Sequence, residues 1–298
     1  MPGEVGMQHL EYLVALSRER HFGRAASRCH VSQPTLSAAI RKFEHQLDTE
    51  LVLRSRRFEG FTAEGERVVT WARRILAERD ELLADIGRSR GDLTATARIG
   101  AIPTAVPATP LVTNLFLQRH PGATVRVEAI SSREIARRLA GFELDAGFTY
   151  LDDETPPGTS QVRLYQERYV LLAPANHPLT RRSEATWAEA AQLPLCALTT
   201  AMRNRRILEA NTAAEGARFT PVVEADNIAA LYAHLADMQL ASIVAHTWLQ
   251  AFGVPKGLTT VPMALREPSP WVGIITLDRK PNSIIAEALL SAAAAIGR

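Results

Sequence analysis

Gln33, Pro34, Thr35, Ser37, Arg41 and Lys42 fall within one ten-residue run, and each side chain offers chemistry that suits a nucleic acid. A glutamine amide can pair with an adenine edge, threonine and proline can touch a thymine methyl, and arginine or lysine can reach phosphate. Ser32 stands before them as a good N-cap, and Pro34 falls in the first helical turn, where its missing N–H costs nothing. A second basic group, Arg54, Arg56 and Arg57, sits between a short apolar strand (Glu50-Leu51-Val52-Leu53) and a return (Phe58-Glu59-Gly60-Phe61) that ends in Thr62, a helix cap. A β-wing that lays arginines on a phosphate backbone or in a minor groove has this form. From Arg18 to Arg57 nine Lys and Arg face four Asp and Glu, so this segment carries +5 while the remainder sums to −3 for a formal total of +2. A local basic face is the electrostatic footprint of nucleic-acid contact, although such clusters are also common on solvated surfaces.

The elements that must hold these groups are readable from periodicity. Leu10, Leu13, Val14 and Ser17 share a face with Tyr12 and Leu16 beside it, which predicts a first helix from Met7 to about Arg20. His21-Phe22-Gly23 interrupts it, and Ala25, Ala26 and Cys29 give a short second helix whose small residues allow close approach. Leu36, Ile40, Phe43 and Leu47 recur at +4, +3 and +4, one apolar stripe of a third helix. The polar residues named above lie off that stripe. A plain three-helix core would put more Glu and Lys there. From Thr62 to about Arg88 a long helix is predicted, with a near-heptad series Val69, Ala72, Leu76, Leu83 and Ile86 interrupted by Arg79. Such a face predicts dimerisation rather than packing onto its own domain.

Bulk properties exclude several classes. With 298 residues, 46% hydrophobic and 22% charged, the chain can form two ordinary globular domains and is neither fibrous nor disordered. No apolar run reaches the length of a membrane span, and the start MPGEVGMQHLEYL has neither a basic head nor a long apolar stretch, so a cytoplasmic location is expected. Cys29 and Cys196 are far apart and outside any C-x-x-C pattern, which predicts core thiols, no disulfide framework and no metal site. No G-x-S-x-G, H-E-x-x-H, Walker A or glycine-rich dinucleotide turn occurs, and no catalytic residues or cofactor are expected.

After a hinge at Gly91-Asp92-Leu93-Thr94, strands and helices alternate: Ala97–Ala101, a helix over Val106–His120, Thr124–Ile130, a helix over Ser131–Gly141, and Leu144–Tyr150. This order predicts a parallel sheet covered by helices. A second set comprises Val162–Ala173, Leu195–Leu198, a helix from Met202, Val222–Ala225, a helix from Asn227 and Ala241–Ala245. Leu258–Leu265 runs back, and Trp271–Leu277 with the alanine-rich Ile284–Ile296 returns to the first set. Two lobes joined by two crossings make a cleft.

The first ninety residues resemble the winged helix-turn-helix and linker helix of the LysR-type transcriptional regulators. The matching residues are Phe22, Ala25-Ala26, Val31-Ser32-Gln33-Pro34-Thr35-Leu36-Ser37, Ile40, Phe43-Glu44, Leu47, Leu51, Arg54 and Thr62-x-x-Gly65. Ala38 and Ala39 stand where relatives often carry Arg and Gln, which shifts the binding toward Gln33, Thr35, Arg41 and the wing; Cys29 replaces a usual Leu. The remaining two hundred residues resemble the family's effector domain, which shares the two-lobed, type 2 fold of periplasmic solute-binding proteins. The resemblance thus implies an α/β chain with a DNA-binding domain at 1–61, a linker and dimerisation helix at 62–90 and an effector domain at 94–298. Its lobe I would span about 94–160 and 267–298, and lobe II about 161–266.

In such sheets ligands sit beyond the carboxyl ends of strands, where helix N-termini offer free N–H groups. The resemblance assigns effector contacts to those junctions, here Ile102, Pro103, Thr104, Ser131, Ser132, Phe148, Thr149, Thr199, Thr200 and Asn227. Each could instead merely cap its helix. Arg203 or Arg205 could pair with an acidic effector or simply face solvent, and Ala236-Asp237-Met238-Gln239-Leu240-Ala241 stands where relatives commonly show a glycine pair before the strand, which could narrow the cleft. The implied function is a regulator that binds an interrupted palindrome in double-stranded DNA, as a homodimer through its linker helix and a homotetramer overall, under control of a small-molecule effector, with an anion among the candidates. The alternative is an enzyme of the two-lobe fold fused to a DNA-binding module.

Overall fold

The computed structural model describes residues 5–54, 57–89, 93–238, 240–265 and 269–296. Two compact units are present, Met1–Gly91 with Gly141–Glu143, and Asp92–Ala140 with Leu144–Arg298. No helix among the described residues is long and apolar enough to cross a membrane.

The first unit contains α1 (Met7–Glu19), α2 (Phe22–Arg28), α3 (Gln33–Leu47), the hairpin β1 (Val52–Arg54) and β2 (Phe58–Phe61), and the long α4 (Ala63–Ser89). The expected stripe of α3 is the one that is buried: Leu36, Ile40 and Phe43 enter the core, with Leu47 partly covered at its edge. On α1 burial extends all round, from Leu10 through Tyr12–Leu16, because α2, α3 and α4 each pack against it. His21 caps α2, its Nδ1 accepting from the N–H groups of Gly23 (3.1 Å) and Arg24 (3.3 Å). This cap explains the break that the sequence showed only as an interruption.

The Thr62-x-x-Gly65 motif has a steric cause. Thr62 Oγ1 accepts from Gly65 N–H (2.9 Å) and donates to the Glu50 carbonyl (2.7 Å), so one hydroxyl starts α4 and anchors the strand entering the wing. A Cβ at Gly65 would stand 2.0 Å from the Leu51 carbonyl oxygen, and only glycine permits that approach. Along α4, Val69 and Ala72 are buried in the core of their own unit, whereas Leu82, Leu83 and Ile86 are exposed. The expected heptad face is therefore divided. Its first half packs at home, and only its second half is open.

The second unit is built on a five-stranded sheet of order β4-β3-β5-β12-β6, from β3 (Thr96–Ala101), β4 (Thr124–Ala129), β5 (Ala146–Tyr150), β6 (Thr159–Gln166) and β12 (Trp271–Leu277). It carries α5 (Thr109–Arg119), α6 (Ser132–Ala140) and the closing α11 (Ile284–Ile296). β3 pairs parallel with β4 and β5; β12 pairs antiparallel with both β5 and β6 and so runs against the other four strands. The parallel pairing expected of the three strands over 97–150 is found, and β12, which re-enters from the other lobe in the opposite direction, makes the five-stranded sheet mixed. The helix expected over 106–120 is split into a 3₁₀ turn (Pro103–Ala108) and α5, because Pro107 cannot donate within an α-helix and Pro110 belongs in a first turn.

A second sheet, of order β10-β7-β11, joins β7 (Tyr169–Pro174), β10 (Ser242–Ala245) and β11 (Leu258–Pro262). Beside it lies the parallel pair β8 (Cys196–Leu198) and β9 (Val223–Ala225), linked to the strand region of β10 by a bridge between Leu195 and Ala241. Around these lie α7 (Trp187–Ala190), α8 (Arg203–Ala213), α9 (Ile228–Met238) and α10 (His246–Phe252). The single strand expected over 162–173 is two strands in different sheets. The lobe border expected at 160–161 accordingly falls inside β6, and the chain crosses between lobes at Glu167 and Arg168, after β6 has run along β12. The other expected border, at 266–267, lies outside the described residues.

Candidate functional site

The outer face of α3 carries the residues chosen for nucleic-acid chemistry. Ser32, Gln33, Pro34, Thr35, Arg41 and Lys42 are exposed, and Ser37 is half-buried. Ser32 caps the helix as expected, its Oγ accepting from Thr35 N–H (3.2 Å) and lying 2.7 Å from Thr35 Oγ1. Arg41 Nη2 donates to Ser37 Oγ (3.3 Å), which draws that guanidinium along the helix. Arg57 at the wing is exposed; the side chain of Arg54, and Arg56 altogether, lie outside the described residues.

Glu44 is a positioning residue that its place in the motif did not explain. Its Oε1 accepts from the backbone N–H groups of Leu51 and Val52, each at 3.0 Å, so the end of the recognition-like helix holds the start of the wing. On the wing's return, Phe58 packs edge-on against Phe22 of α2 at 6.1 Å and against Phe61 at 5.2 Å. The wing is thus fixed to α3 by an acid and to α2 by edge-packed rings.

In the second unit the junctions after β3, β4 and β5 lie together on one sheet, and those after β8 and β9 lie together on another. Thr104 is fully buried behind β3, and its carbonyl accepts from Thr247 Oγ1 at the start of α10 (3.0 Å), a bond from one lobe to the other. Thr149 donates to Ser132 Oγ (3.2 Å), and Ser131 Oγ caps α6 by accepting from Glu134 N–H (3.3 Å). Asn227 caps α9 through Ala230 N–H (2.8 Å), while Thr199 takes part by its backbone, its N–H donating to the Ala225 carbonyl (3.0 Å). Ile102, Pro103 and Phe148 are buried, whereas Thr200 and Asn227 are exposed. Phe148 belongs to the sheet's packed interior in this form.

Four polar residues beyond those expected complete the interlobe region: Tyr150, Glu167, Asn204 and Thr247. Glu167 is fully buried at the crossing, and its Oε1 accepts from Tyr150 O–H at 2.6 Å. Burial pushes the Glu167 carboxyl up, while contacts with Tyr150, Tyr169, Thr104 and Asn204 act the other way. Both Tyr150 and Tyr169 are held well above the ordinary phenol range, first by burial and then by the neighbouring carboxyl. Tyr150 was adjacent to an expected contact, but nothing local marks Glu167, since only the fold brings it to the cleft.

The arginines of α8 do not face solvent freely. Arg203 binds Asp152 (2.7 Å) and Glu154 (2.7 Å), and Arg206 binds Glu154 (2.7 Å), tying α8 to the loop after β5 in the other lobe. Arg205 is buried, donates to Glu224 (2.8 Å), Glu209 (2.9 Å) and the Leu198 carbonyl (3.0 Å), and stacks over Phe219. Its role is structural. Among the described residues no cluster of potential metal ligands occurs.

A family model for the LysR substrate binding domain matches residues 90–296, and one for the bacterial regulatory helix-turn-helix protein of the lysR family matches residues 7–66. The chain belongs to the LysR family. Relatives include the hydrogen peroxide-inducible genes activator of Haemophilus influenzae, 33% identical over 193 residues that make up 64% of this chain and 61% of that protein. The DNA-binding transcriptional dual regulator OxyR of Escherichia coli is 33% identical over 189 residues, 63% of this chain and 61% of that protein. The matches to these curated relatives thus span about three fifths of their length.

Among solved structures, full-length OxyR of Pseudomonas aeruginosa, with a cysteine replaced by aspartate, superposes with a TM-score of 0.75 at 25% identity, covering 97% of this chain and 95% of that one. The LysR family regulator CbnR, solved full-length with its target DNA, superposes with a TM-score of 0.72 over 98% of this chain and all of that one (100%); at 19% identity this shows the shared fold.

Proposed function

We propose that this LysR-family chain is a sequence-specific, DNA-binding transcriptional regulator of the cytoplasm, controlled by a small molecule bound between its two α/β lobes. One observation carries the reading: α3 buries Leu36, Ile40 and Phe43 and turns Gln33, Thr35, Arg41 and Lys42 outward from a Ser32 cap. Ser37, Pro34 and the wing arginines Arg54, Arg56 and Arg57 complete the contact surface. The target is double-stranded DNA with an interrupted palindrome, because a symmetric dimer reads two half-sites. Exposed Trp71, Ile75, Leu82, Leu83 and Ile86 on α4 support pairing through the linker helix, and contacts between effector domains then make the homotetramer.

The proposed effector residues are Ile102, Pro103, Thr104, Ser131, Ser132, Phe148, Thr149, Thr199, Thr200 and Asn227. A ligand that prefers one lobe arrangement shifts the population toward it and so alters the spacing of the heads. Reversible binding suits this chain better than thiol oxidation. Cys196 is fully buried, with burial pushing its thiol up to about 11, and Cys29 is half-buried and likewise raised, so neither supplies a reactive thiolate. Turnover is not part of the proposal; a two-lobe enzyme fused to the head would convert candidate metabolites rather than bind them. The test is a footprint of the purified protein upstream of its own and neighbouring genes. Protection of a paired site is expected, and its absence there would overturn the reading.

A further inference from the structure

Three arginines open α8 at the end where a helix least favours them. Arg203, Arg205 and Arg206 stand among its first four residues, no acid lies in its first turn, and Met202 at the N-cap makes no side-chain capping bond. The helix dipole is positive at that end and disfavours cations. By contrast, α6 and α9 start from the Ser131 and Asn227 caps. Arg205 is balanced within its own lobe by Glu209 and Glu224, whereas Arg203 and Arg206 meet acids of the other lobe. Arg203 sends Nε (3.1 Å) and Nη2 (2.7 Å) to Asp152 Oδ2 and Nη1 to Glu154 (2.7 Å). Arg206 Nη2 reaches both oxygens of Glu154, at 3.1 and 2.7 Å. The receiving loop is shaped for this, because Asp152 Oδ1 accepts from Glu154 N–H (3.0 Å) and leaves Oδ2 to Arg203. Thr155 Oγ1 accepts in turn from Asp152 N–H (3.1 Å). Isolated surface pairs contribute little, but two forked cations shared between two acids form a network, and each of these side chains is only a quarter to a third exposed.

We propose that Arg203 and Arg206 with Asp152 and Glu154 form an electrostatic latch that holds the two lobes together, and that weakening these pairs frees the lobes to part. The pairs exist only while the loop after β5 and the start of α8 stay within hydrogen-bond reach, so their strength enters the balance between lobe arrangements directly. The latch also accounts for a helix start whose charge is offset at Arg203 and Arg206 from across the lobes. It stands three residues beyond Thr149 in one lobe and three beyond Thr200 in the other. An effector seated at those junctions therefore acts next to the latch, a consequence that rests on the reading of the cleft as the effector site.

Thr104 and Thr247 report the lobe contact from elements other than the latch, because both are buried where Thr247 Oγ1 donates across the lobes to the Thr104 carbonyl (3.0 Å). The test follows amide exchange of the full chain over 102–106 and 246–248, with the β7 core over 170–173 as internal reference. Raising NaCl from about 0.1 to about 1 M shortens the Debye length from about 10 to about 3 Å and is expected to speed exchange in both segments but not in β7. Asp152→Asn combined with Glu154→Gln should speed it about fivefold at low salt and abolish the salt effect. Asp153→Asn, which removes an exposed charge beside the latch, should change neither. The salt response of the wild-type chain stands by itself should the double variant not fold. No salt response in wild type, unchanged exchange in the double variant, a salt effect that survives in it, an equal effect of Asp153→Asn, or acceleration that includes β7 would each overturn the latch. Protection of the promoter fragment by the wild-type chain is measured alongside. Its failure removes the regulator reading and leaves the latch standing, whereas intact protection with unaltered exchange removes only the latch.

Discussion

Gln33 and Thr35 on α3 are exposed one turn from Leu36 and Ile40, which are fully buried, whereas Thr104, Tyr150 and Glu167 are both the cleft's polar groups and part of its packed interior. On the function proposed above, recognition and stability occupy opposite faces of one helix in the first unit and the same residues in the second. A helix that reads DNA can be solvated until it binds, so its reading face needs no internal partners. A cleft that closes on a small molecule must satisfy its polar groups in each form, so every substitution there changes packing and binding together.

The largest expected effect lies on the inward face of α3. Phe43→Ala removes a fully buried ring from the core shared by α1, α2, α3 and the wing, and should cost about 4 kcal/mol in the first unit. Amide exchange along α3 would report it, and protection unchanged from wild type would break the division between faces. In the second unit, Tyr150→Phe takes the 2.6 Å donor from Glu167 and leaves its carboxyl without that bond, at a cost of about 2 kcal/mol. The coincidence of roles predicts that urea stability and ligand response change together for this variant. A full loss of one with no change in the other would show that the cleft separates them after all.

How far the sequence revealed each region follows from the same difference. The face of α3, the Ser32 cap and the Thr62-x-x-Gly65 junction are made from contacts within a few turns, or from one strand beside a helix, so spacing and residue type expose them. The N-cap at His21 was hidden only because histidine is an uncommon capping residue. Glu167 gave no signal, as its partners Thr104, Tyr150 and Asn204 come from a turn, a strand and a helix spread over a hundred residues of chain. The switch from β6 to β7 was likewise hidden. Both are β-rich and separated only by Glu167 and Arg168, and the change of sheet depends on β12 and β10, which arrive much later in the chain.

On the outward face of α3 the comparison predicts loss of recognition without loss of stability. Gln33→Ala should leave the Tm within the range of ordinary surface changes and weaken specific binding by about 2 kcal/mol at particular bases. Competition between operator and random DNA checks this, and equal losses on both would contradict base readout by Gln33. Ser32 is intermediate because it is exposed yet structural. Ser32→Ala removes the hydroxyl that accepts from Thr35 N–H, which should cost about 1 kcal/mol of stability in chemical denaturation. It should also free the Thr35 hydroxyl, now 2.7 Å from Ser32, to take a different rotamer on DNA.

The smallest effect concerns the rim of the second unit, where roles separate again because solvent returns. Glu134 at the start of α6 accepts from Arg137 at 2.7 and 2.8 Å and from Arg138 at 2.7 Å. The Arg137 guanidinium, opposed by partial burial and reinforced by Arg138, holds the Glu134 carboxyl down at about 2 instead of 4.5. A carboxyl depressed in the folded state contributes stability that is fully present above its unfolded value, near 4.5, and is lost as pH falls through about 2. Because the pair is largely solvated and screened, that contribution is about 0.5 kcal/mol rather than what the shift alone would imply. Urea denaturation of wild type and Glu134→Gln should therefore differ by this small amount at pH 6 and converge toward pH 2. A gap that widened on acidification would mean that the ion pairs at the rim oppose folding of the second unit, and the contrast between solvated rim and buried cleft would fail where it is easiest to measure.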